Sequence, residues 1–116
     1  MAGLGELVRG LAAREGIEAV LLVSGDGLDI EHAGAPIEPE TIAALAATLG
    51  QHAARLGEGA GWSGLRTAVL EYGDGLFVLA RAGVTDWLAI VAHADSDIGA
   101  LLYDLRHHRP AIANLL

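Results

Sequence analysis

Two nearly continuous apolar segments constrain the fold of this chain more than any other feature of its sequence. The first segment, IEAVLLVS, covers residues 17–24, and the second, WLAIVAHA, covers residues 87–94. Each has the length of a β-strand, and its apolar residues occupy both alternating faces, which is typical of a strand covered on both sides. We therefore expect two central strands in a sheet that carries helices on both of its faces.

Three helices are predicted from apolar residues at helical spacing. The first covers about residues 2–15, and the second begins near Pro39 and ends in the glycine-rich residues 57–61. The third follows Ser96, whose hydroxyl we expect to cap it. Together with the strands, these helices give the order α-β-β-α-β-β-β-α.

The other strands complete a single sheet. Three further segments have strand-like patterns: residues 28–32, 65–72 and 75–82. In the first of these, alternation predicts Leu28 and Ile30 inward and Asp29 and Glu31 outward. Because the connections are short, neighbouring strands must be antiparallel. The prediction is one α/β domain over residues 1–116, an α+β sandwich with a five-stranded antiparallel sheet and helices on both faces.

Composition excludes several classes of protein. The formal net charge is −8 and all seven basic residues are arginine, so we expect no nucleic-acid partner. No apolar run approaches the ~18–20 residues of a membrane helix, and no basic segment precedes an apolar core at the start of the chain. The chain has no cysteine for disulfides or a thiolate metal site. We expect a cytoplasmic protein with no membrane partner.

The loop in LLVSGDGLDIEH has the residues of a phosphate or metal loop but not their spacing. A dinucleotide loop needs a third glycine where Ile30 stands, and a Walker loop needs a lysine, which the chain lacks. A calcium loop beginning at Asp26 would need glycine in place of Glu31. The remaining interpretation is a hairpin turn at Gly25-Asp26-Gly27, and the same holds for Asp74-Gly75.

No residue pattern points to a catalytic or metal site. The histidines are His32, His52, His93, His107 and His108. No two of them stand four residues apart on a predicted helix, and no serine lies in a Gly-x-Ser-x-Gly turn. We therefore expect no catalytic residue, no cofactor and no metal.

The middle helix combines an apolar face with a second face of small residues. The expected core face consists of Ile42, Leu45, Ala46, Leu49, Ala53 and Leu56. The opposite face carries Ala43, Ala47, Gly50 and Ala54, flanked by Ala44 and Gln51. Two interpretations stay open: alanine as neutral filler of a solvent face, or close approach of another surface.

The absence of charge favours the second interpretation. From Thr41 to Ala54 the helix carries no charged residue, whereas a solvent face usually does. Arg55 is the only lysine or arginine on this helix. The predicted partner-binding residues are Ala43, Ala44, Ala47, Gly50, Gln51, Ala54 and Arg55.

The element order and two long segments resemble the roadblock/dynein light chain family over essentially the whole domain. The segments are GIEAVLLVSGDGLDIEHAG and LRTAVLEYGDGLFVLARAGVTDWLAIVAHADSDIGALLYDLR, with the alanine-rich middle helix between them. The ending YDLRHHRPAIANLL is similar to the bacterial MglB-type branch. Apolar strands joined by Gly/Asp turns are diffuse motifs singly, and their order over the full length carries the resemblance.

The resemblance implies a non-enzymatic homodimer. In this family the third strand, here about residues 65–72, pairs with its twin, and the middle helices lie side by side on one face of the joined sheet. The implied dimer interface is Leu65, Thr67, Val69, Glu71, Ala47 and Ala54. In the MglB-type branch, this helical platform docks a Ras-like small GTPase and modulates its nucleotide cycle.

Two other functional classes stay open. The same dimer could serve as an adaptor for a motor, kinase or polarity complex without affecting nucleotide turnover, and an enzyme or small-ligand sensor is the third class. An activator often inserts an arginine into the GTPase site, and Arg55 is the candidate on the middle helix. Our hypothesis is that Arg55 is not such a finger, because a helix in a platform lacks the reach of a loop.

Overall fold

The computed structural model describes residues 3–115, with the side chains of Arg109, Ile112, Ala113 and Leu115 left undescribed. The elements are α1 (Leu4–Ala12), β1 (Ile17–Val23), β2 (Asp29–Gly34), α2 (Pro39–Gly59), β3 (Thr67–Glu71), β4 (Gly75–Ala82), β5 (Asp86–His93) and α3 (Ile98–Leu115). This is the predicted order of elements. Within residues 3–115, no helix has both the length and the apolar character needed to cross a bilayer.

The five strands form one antiparallel sheet in the order β2-β1-β5-β4-β3. The two strands with continuous apolar sequences, β1 and β5, pair with each other and lie inside the sheet, as predicted. The predicted turn at Gly25-Asp26-Gly27 connects β1 to β2. In this turn the Gly27 N–H donates to the Ser24 carbonyl at 2.9 Å, and the φ of Gly27 is +87°, which favours glycine.

Helices cover both faces of the sheet, because the central strands have apolar side chains on both sides. Alternate residues of β1 belong to different cores: Val20 and Leu22 face α1 and α3, whereas Leu21 and Val23 face α2. Leu21 has an exposed fraction of 0%. Burial of one such leucine contributes about 1.5–3 kcal/mol. The sheet is therefore the middle layer of a three-layer sandwich.

The facing of β2 is opposite to the prediction. Leu28 and Ile30 are 66% and 40% exposed, and Asp29 and Glu31 are half-buried. The cause is the register of β2 with β1, which places Ala33 opposite Val20 on the face that α1 covers. Side chains two residues apart share a face, so Glu31 follows Ala33 onto that side.

The start of α3 also differs from the prediction. The Ala100 N–H donates to Asp97 Oδ1 at 3.0 Å, so Asp97 caps the helix. The Ser96 hydroxyl instead donates to the Gly16 carbonyl at 2.9 Å and ties the start of β1 to the end of β5. The predicted Ser96 cap is wrong, because that hydroxyl is used between two segments distant in sequence.

Candidate functional site

The small residues of α2 pack against the chain's own sheet. Ala43 and Ala47 are 0% and 4% exposed, and Gly50 is buried. A Cβ atom built on Gly50 would lie 2.4 Å from Cζ2 of Trp87, which stands on β5 beneath the helix. Close approach to this large ring requires small residues on the helix. The predicted outward face is therefore wrong for Ala43, Ala47 and Gly50.

The other predicted partner-binding residues are accessible. Ala44, Gln51 and Arg55 are exposed, and Ala54 is half-buried. They lie on one flank of α2, where Gln51, Ala54 and Arg55 line a groove beside the β1–β2 and β4–β5 turns. Ala47 is also excluded from the predicted dimer interface, because its side chain is enclosed by its own chain.

The predicted core face of α2 is right for Ile42, Ala46 and Leu49, which pack against the sheet, but Leu45 and Leu56 are exposed and form an apolar ridge with Leu49. This leucine ridge consists of Leu45, Leu49 and Leu56, whose spacing of four and seven residues places them on one side of the helix. Leu45 and Leu56 are 65% and 78% exposed, and Leu49 is half-buried. Exposed apolar patches of this kind mark interaction surfaces.

The leucine ridge borders an apolar groove that runs towards β3. Ile42, Leu45 and Leu49 form its helical wall, and Leu70, Tyr72 and Phe77 form the opposite side. Tyr72 is 58% exposed. Strand β3 is at the edge of the sheet and, within the described residues, β4 is the one strand it pairs with. An apolar helix flank and an open sheet edge thus lie side by side.

The predicted interface residues of β3 divide between the two faces of the sheet. Val69 pairs with Val78, whose side chain lies in the α1/α3 core, so Thr67, Val69 and Glu71 share that face. Val69 is 41% exposed. Leu65 packs instead against the α2 core. The structure therefore brings these residues to one edge but not to one face.

Two histidines in the described part of the chain pair with carboxylates. His32 Nδ1 lies 2.6 Å from Asp29 Oδ2, and His93 Nδ1 lies 3.0 Å from Glu18 Oε1, both near the surface. Among the described residues, no group of three or more His, Cys, Asp and Glu residues is placed to hold a metal ion.

The sequence patterns did not single out Arg81. Its guanidinium carbon lies 3.9 Å from the centroid of the Trp87 ring, which is itself 2% exposed. Arg81 and Arg55 line the same groove on the flank of α2 opposite the leucine ridge. The sequence feature that could have identified this contact is the position of Arg81 and Trp87 on either side of the β4–β5 turn. These positions place the two residues opposite each other on adjacent strands.

Comparisons with known proteins place this arrangement in a family. Residues 3–92 match the family model of the Roadblock/LC7 domain. No curated protein matches the chain. Among solved structures, a Roadblock/LC7 domain from Streptomyces avermitilis is 28% identical with a TM-score of 0.81, covering 95% of this chain and 98% of that chain.

Two more distant structures share the fold. The gliding protein MglB of Thermus thermophilus is 19% identical with a TM-score of 0.84, covering 99% of this chain and 93% of that chain. Myxococcus xanthus MglB is 16% identical with a TM-score of 0.88, covering 96% and 92%. The family model spans most of the domain, including both central strands and α2. The chain therefore belongs to the Roadblock/LC7 domain family.

Proposed function

We propose that residues 1–116 act as one domain that forms a homodimer, docks a Ras-like small GTPase in the cytoplasm and modulates its GTP hydrolysis or nucleotide exchange. The observation that supports the dimer is the leucine ridge of α2, which lies beside the edge strand β3. Leu45 and Leu56 of this ridge are 65% and 78% exposed. The resemblance to the MglB-type branch supports the GTPase as partner.

The proposed dimer joins the edges of two β3 strands in antiparallel register. A two-fold axis through the middle of β3, near Val69, would produce one ten-stranded sheet and keep both α2 helices on the same face. The apolar groove between α2 and β3 would then receive the leucine ridge of the partner. The proposed interface is Leu65, Thr67, Val69 and Glu71 with the leucine ridge, and Ala54 at its margin.

Self-association occurs in a solved structure with this fold. A solved structure of MglB with a tetrameric arrangement is 19% identical to this chain, with a TM-score of 0.85. It supports self-association of this fold.

The GTPase would contact the surface of α2 that the dimer leaves open. Ala44, Gln51 and Arg55 are exposed on the flank opposite the leucine ridge, so they remain the proposed contacts. Arg55 extends from the body of a regular helix. We therefore keep the hypothesis that regulation acts through the GTPase's own switch loops rather than through an inserted arginine.

The test is the nucleotide cycle of a Ras-like GTPase encoded beside this protein. Single-turnover GTP hydrolysis and release of a fluorescent nucleotide are measured with and without the protein, and binding is measured in parallel. A change in either rate that saturates with protein concentration supports regulation. Binding without a change in either rate would support the adaptor alternative, and failure to bind would refute the GTPase partner.

A further inference from the structure

We infer that Trp62 of each protomer inserts into the apolar groove between α2 and β3 of its partner, so that the second copy completes each groove. This inference rests on the proposed homodimer and adds to it a residue that the sequence patterns did not assign to the interface. Trp62 lies in the loop of residues 60–66, which joins α2 to β3. It is 72% exposed, whereas tryptophan is on average a highly buried residue.

The loop carries Trp62 on an ordered backbone. The Trp62 N–H donates to the Gly57 carbonyl at 2.8 Å, and the Gly61 N–H donates to the Glu58 carbonyl at 2.9 Å. The φ of Gly61 is +84°, which favours glycine and turns the chain sharply after the helix. A partner that covers the indole then has only two side-chain torsions to fix, so the entropic cost of the contact is small.

The two-fold axis of the proposed dimer brings the start of one β3 beside the end of the other. With Val69 on the axis, Thr67 of one copy lies opposite Glu71 of the other, because the two strands are antiparallel. The residue that follows Glu71 is Tyr72, which lines the groove and is 58% exposed. The loop before β3 in one copy therefore approaches Tyr72 in the other.

Trp62 and Tyr72 also lie on the same side of the sheet. Trp62 lines a small pocket with Ala53 and Gly57 of α2, and Tyr72 lines the groove with Leu45 of α2. An axis perpendicular to the sheet keeps both α2 helices on one face, so Trp62 meets the partner's Tyr72 on that face. The partner's leucine ridge then covers the helical wall of the groove, and Trp62 fills its end at Tyr72.

The groove has the size and the chemistry that an indole ring requires. Its volume is about 290 Å³, and a cavity of about 150 Å³ lined by leucine, isoleucine and phenylalanine holds a benzene molecule. The side chains that line it are apolar except for the hydroxyl of Tyr72. A buried indole N–H needs a hydrogen-bond partner, and this hydroxyl can accept from it.

The first test measures the dissociation constant of the full-length homodimer by sedimentation. Trp62→Ala should raise it at least about 100-fold, because a tryptophan anchor is lost on both sides of the two-fold axis. The control is Val84→Ala, which changes a side chain that is 91% exposed on the flank of α2 away from the leucine ridge. It should stay within about twofold of wild type.

A double variant tests the contact itself. Trp62→Ala and Tyr72→Ala together should raise the dissociation constant by much less than the product of their separate effects, because the two changes remove one shared contact. Effects that multiply would overturn the inference, as would a Trp62→Ala protein that dimerises like wild type.

Tryptophan fluorescence gives a second readout that needs no variant. The chain has two tryptophans, and Trp87 is 2% exposed, so a water-soluble quencher acts mainly on Trp62 in the monomer. Quenching of the wild-type protein should decrease as its concentration rises through the dissociation constant. Trp62→Ala should show little quenching at any concentration.

The outcomes separate this inference from the proposed function. A dimer in which Trp62 is quenched as strongly as in the monomer overturns the inference alone. Protection of Trp62 that appears only when the GTPase is added also overturns it, because Trp62 would then contact the GTPase. A wild-type protein that stays monomeric at every concentration overturns the proposed homodimer and this inference with it.

Discussion

The contact between Gly50 and Trp87 gives the sharpest test of the orientation of α2. A Cβ atom at position 50 would lie 2.4 Å from Cζ2, 2.5 Å from Cε2 and 2.9 Å from Cη2 of the Trp87 ring. Carbon atoms pack at about 3.5–4.0 Å, so Gly50→Ala forces the helix or the ring to move by about 1 Å. Trp87 is 2% exposed, and the close packing around a buried ring resists such a movement.

The expected effect follows from two opposing terms. Overpacking against a rigid buried ring costs about 3 kcal/mol, the upper part of the usual range. Alanine in a helix interior is favoured over glycine by about 1 kcal/mol. Gly50→Ala should therefore lower the free energy of unfolding by about 2 kcal/mol. In urea this corresponds to a midpoint about 1 M lower, measured at matched protein concentration because the stability of the proposed dimer would depend on concentration.

The matched control is Gly10→Ala in α1, where an added Cβ atom meets nothing within 4 Å. This change should raise the free energy of unfolding by about 0.5–1 kcal/mol. A Trp87→Phe background should reduce the cost of Gly50→Ala by more than about 1 kcal/mol, because the two changes share one contact. The reasoning is refuted if Gly50→Ala is as stable as wild type, since an outward-facing Gly50 predicts a gain like that of Gly10→Ala.

Three other perturbations test the interface, a helix start and the role of an arginine. Leu56→Glu should raise the dissociation constant of the proposed homodimer at least about 100-fold in sedimentation experiments. Two copies each lose about 1.5–3 kcal/mol of burial, and about 1.4 kcal/mol corresponds to tenfold in affinity. Gln51→Glu on the other flank of α2 is the control and should leave the dimer unchanged. Asp97→Ala should destabilise by about 1 kcal/mol in thermal unfolding through loss of the α3 cap, and exposed Asp95→Ala by less than about 0.5 kcal/mol. Arg55→Ala should keep full GTPase stimulation at saturating protein, and its near-complete loss would make this residue an inserted finger.

The layer structure was predictable because its cause is present in the two central strands, β1 and β5. Val20, Leu21 and Leu22 are consecutive and apolar, so no orientation of β1 avoids the need for cover on both faces. The facing of β2 was not predictable from alternation alone. Its apolar Leu28 and Ile30 were expected inside, but the register set by Ala33 opposite Val20 decides the side, and a shift of one residue reverses every side chain.

The predicted orientation of α2 was wrong for Leu45 and Leu56 and for Ala43, Ala47 and Gly50, for a related reason. A larger side chain gains more from burial, so the sequence predicts leucines in the core before alanines. How closely a helix approaches a sheet depends on what lies beneath it, and here that is the Trp87 ring. The register that brings Trp87 under Gly50 is a tertiary relation absent from the sequence of α2. A glycine in the middle of a helix, where it costs about 1 kcal/mol, was the local sign of such a contact.

The two edge strands of the sheet, β2 and β3, differ in charge, and this difference bears on how many copies could assemble. At one end β2 carries Asp29, Glu31 and His32 within six residues, and at the other β3 reads Thr-Ala-Val-Leu-Glu. Charged residues discourage a further strand, and a mostly apolar edge invites one. A sheet with one edge strand that can pair forms a closed dimer. A sheet in which both edge strands can pair can grow into a fibre. If the proposed dimer forms through β3, replacing the charges of β2 should leave the fold unchanged and let dimers add to one another along the β2 edges.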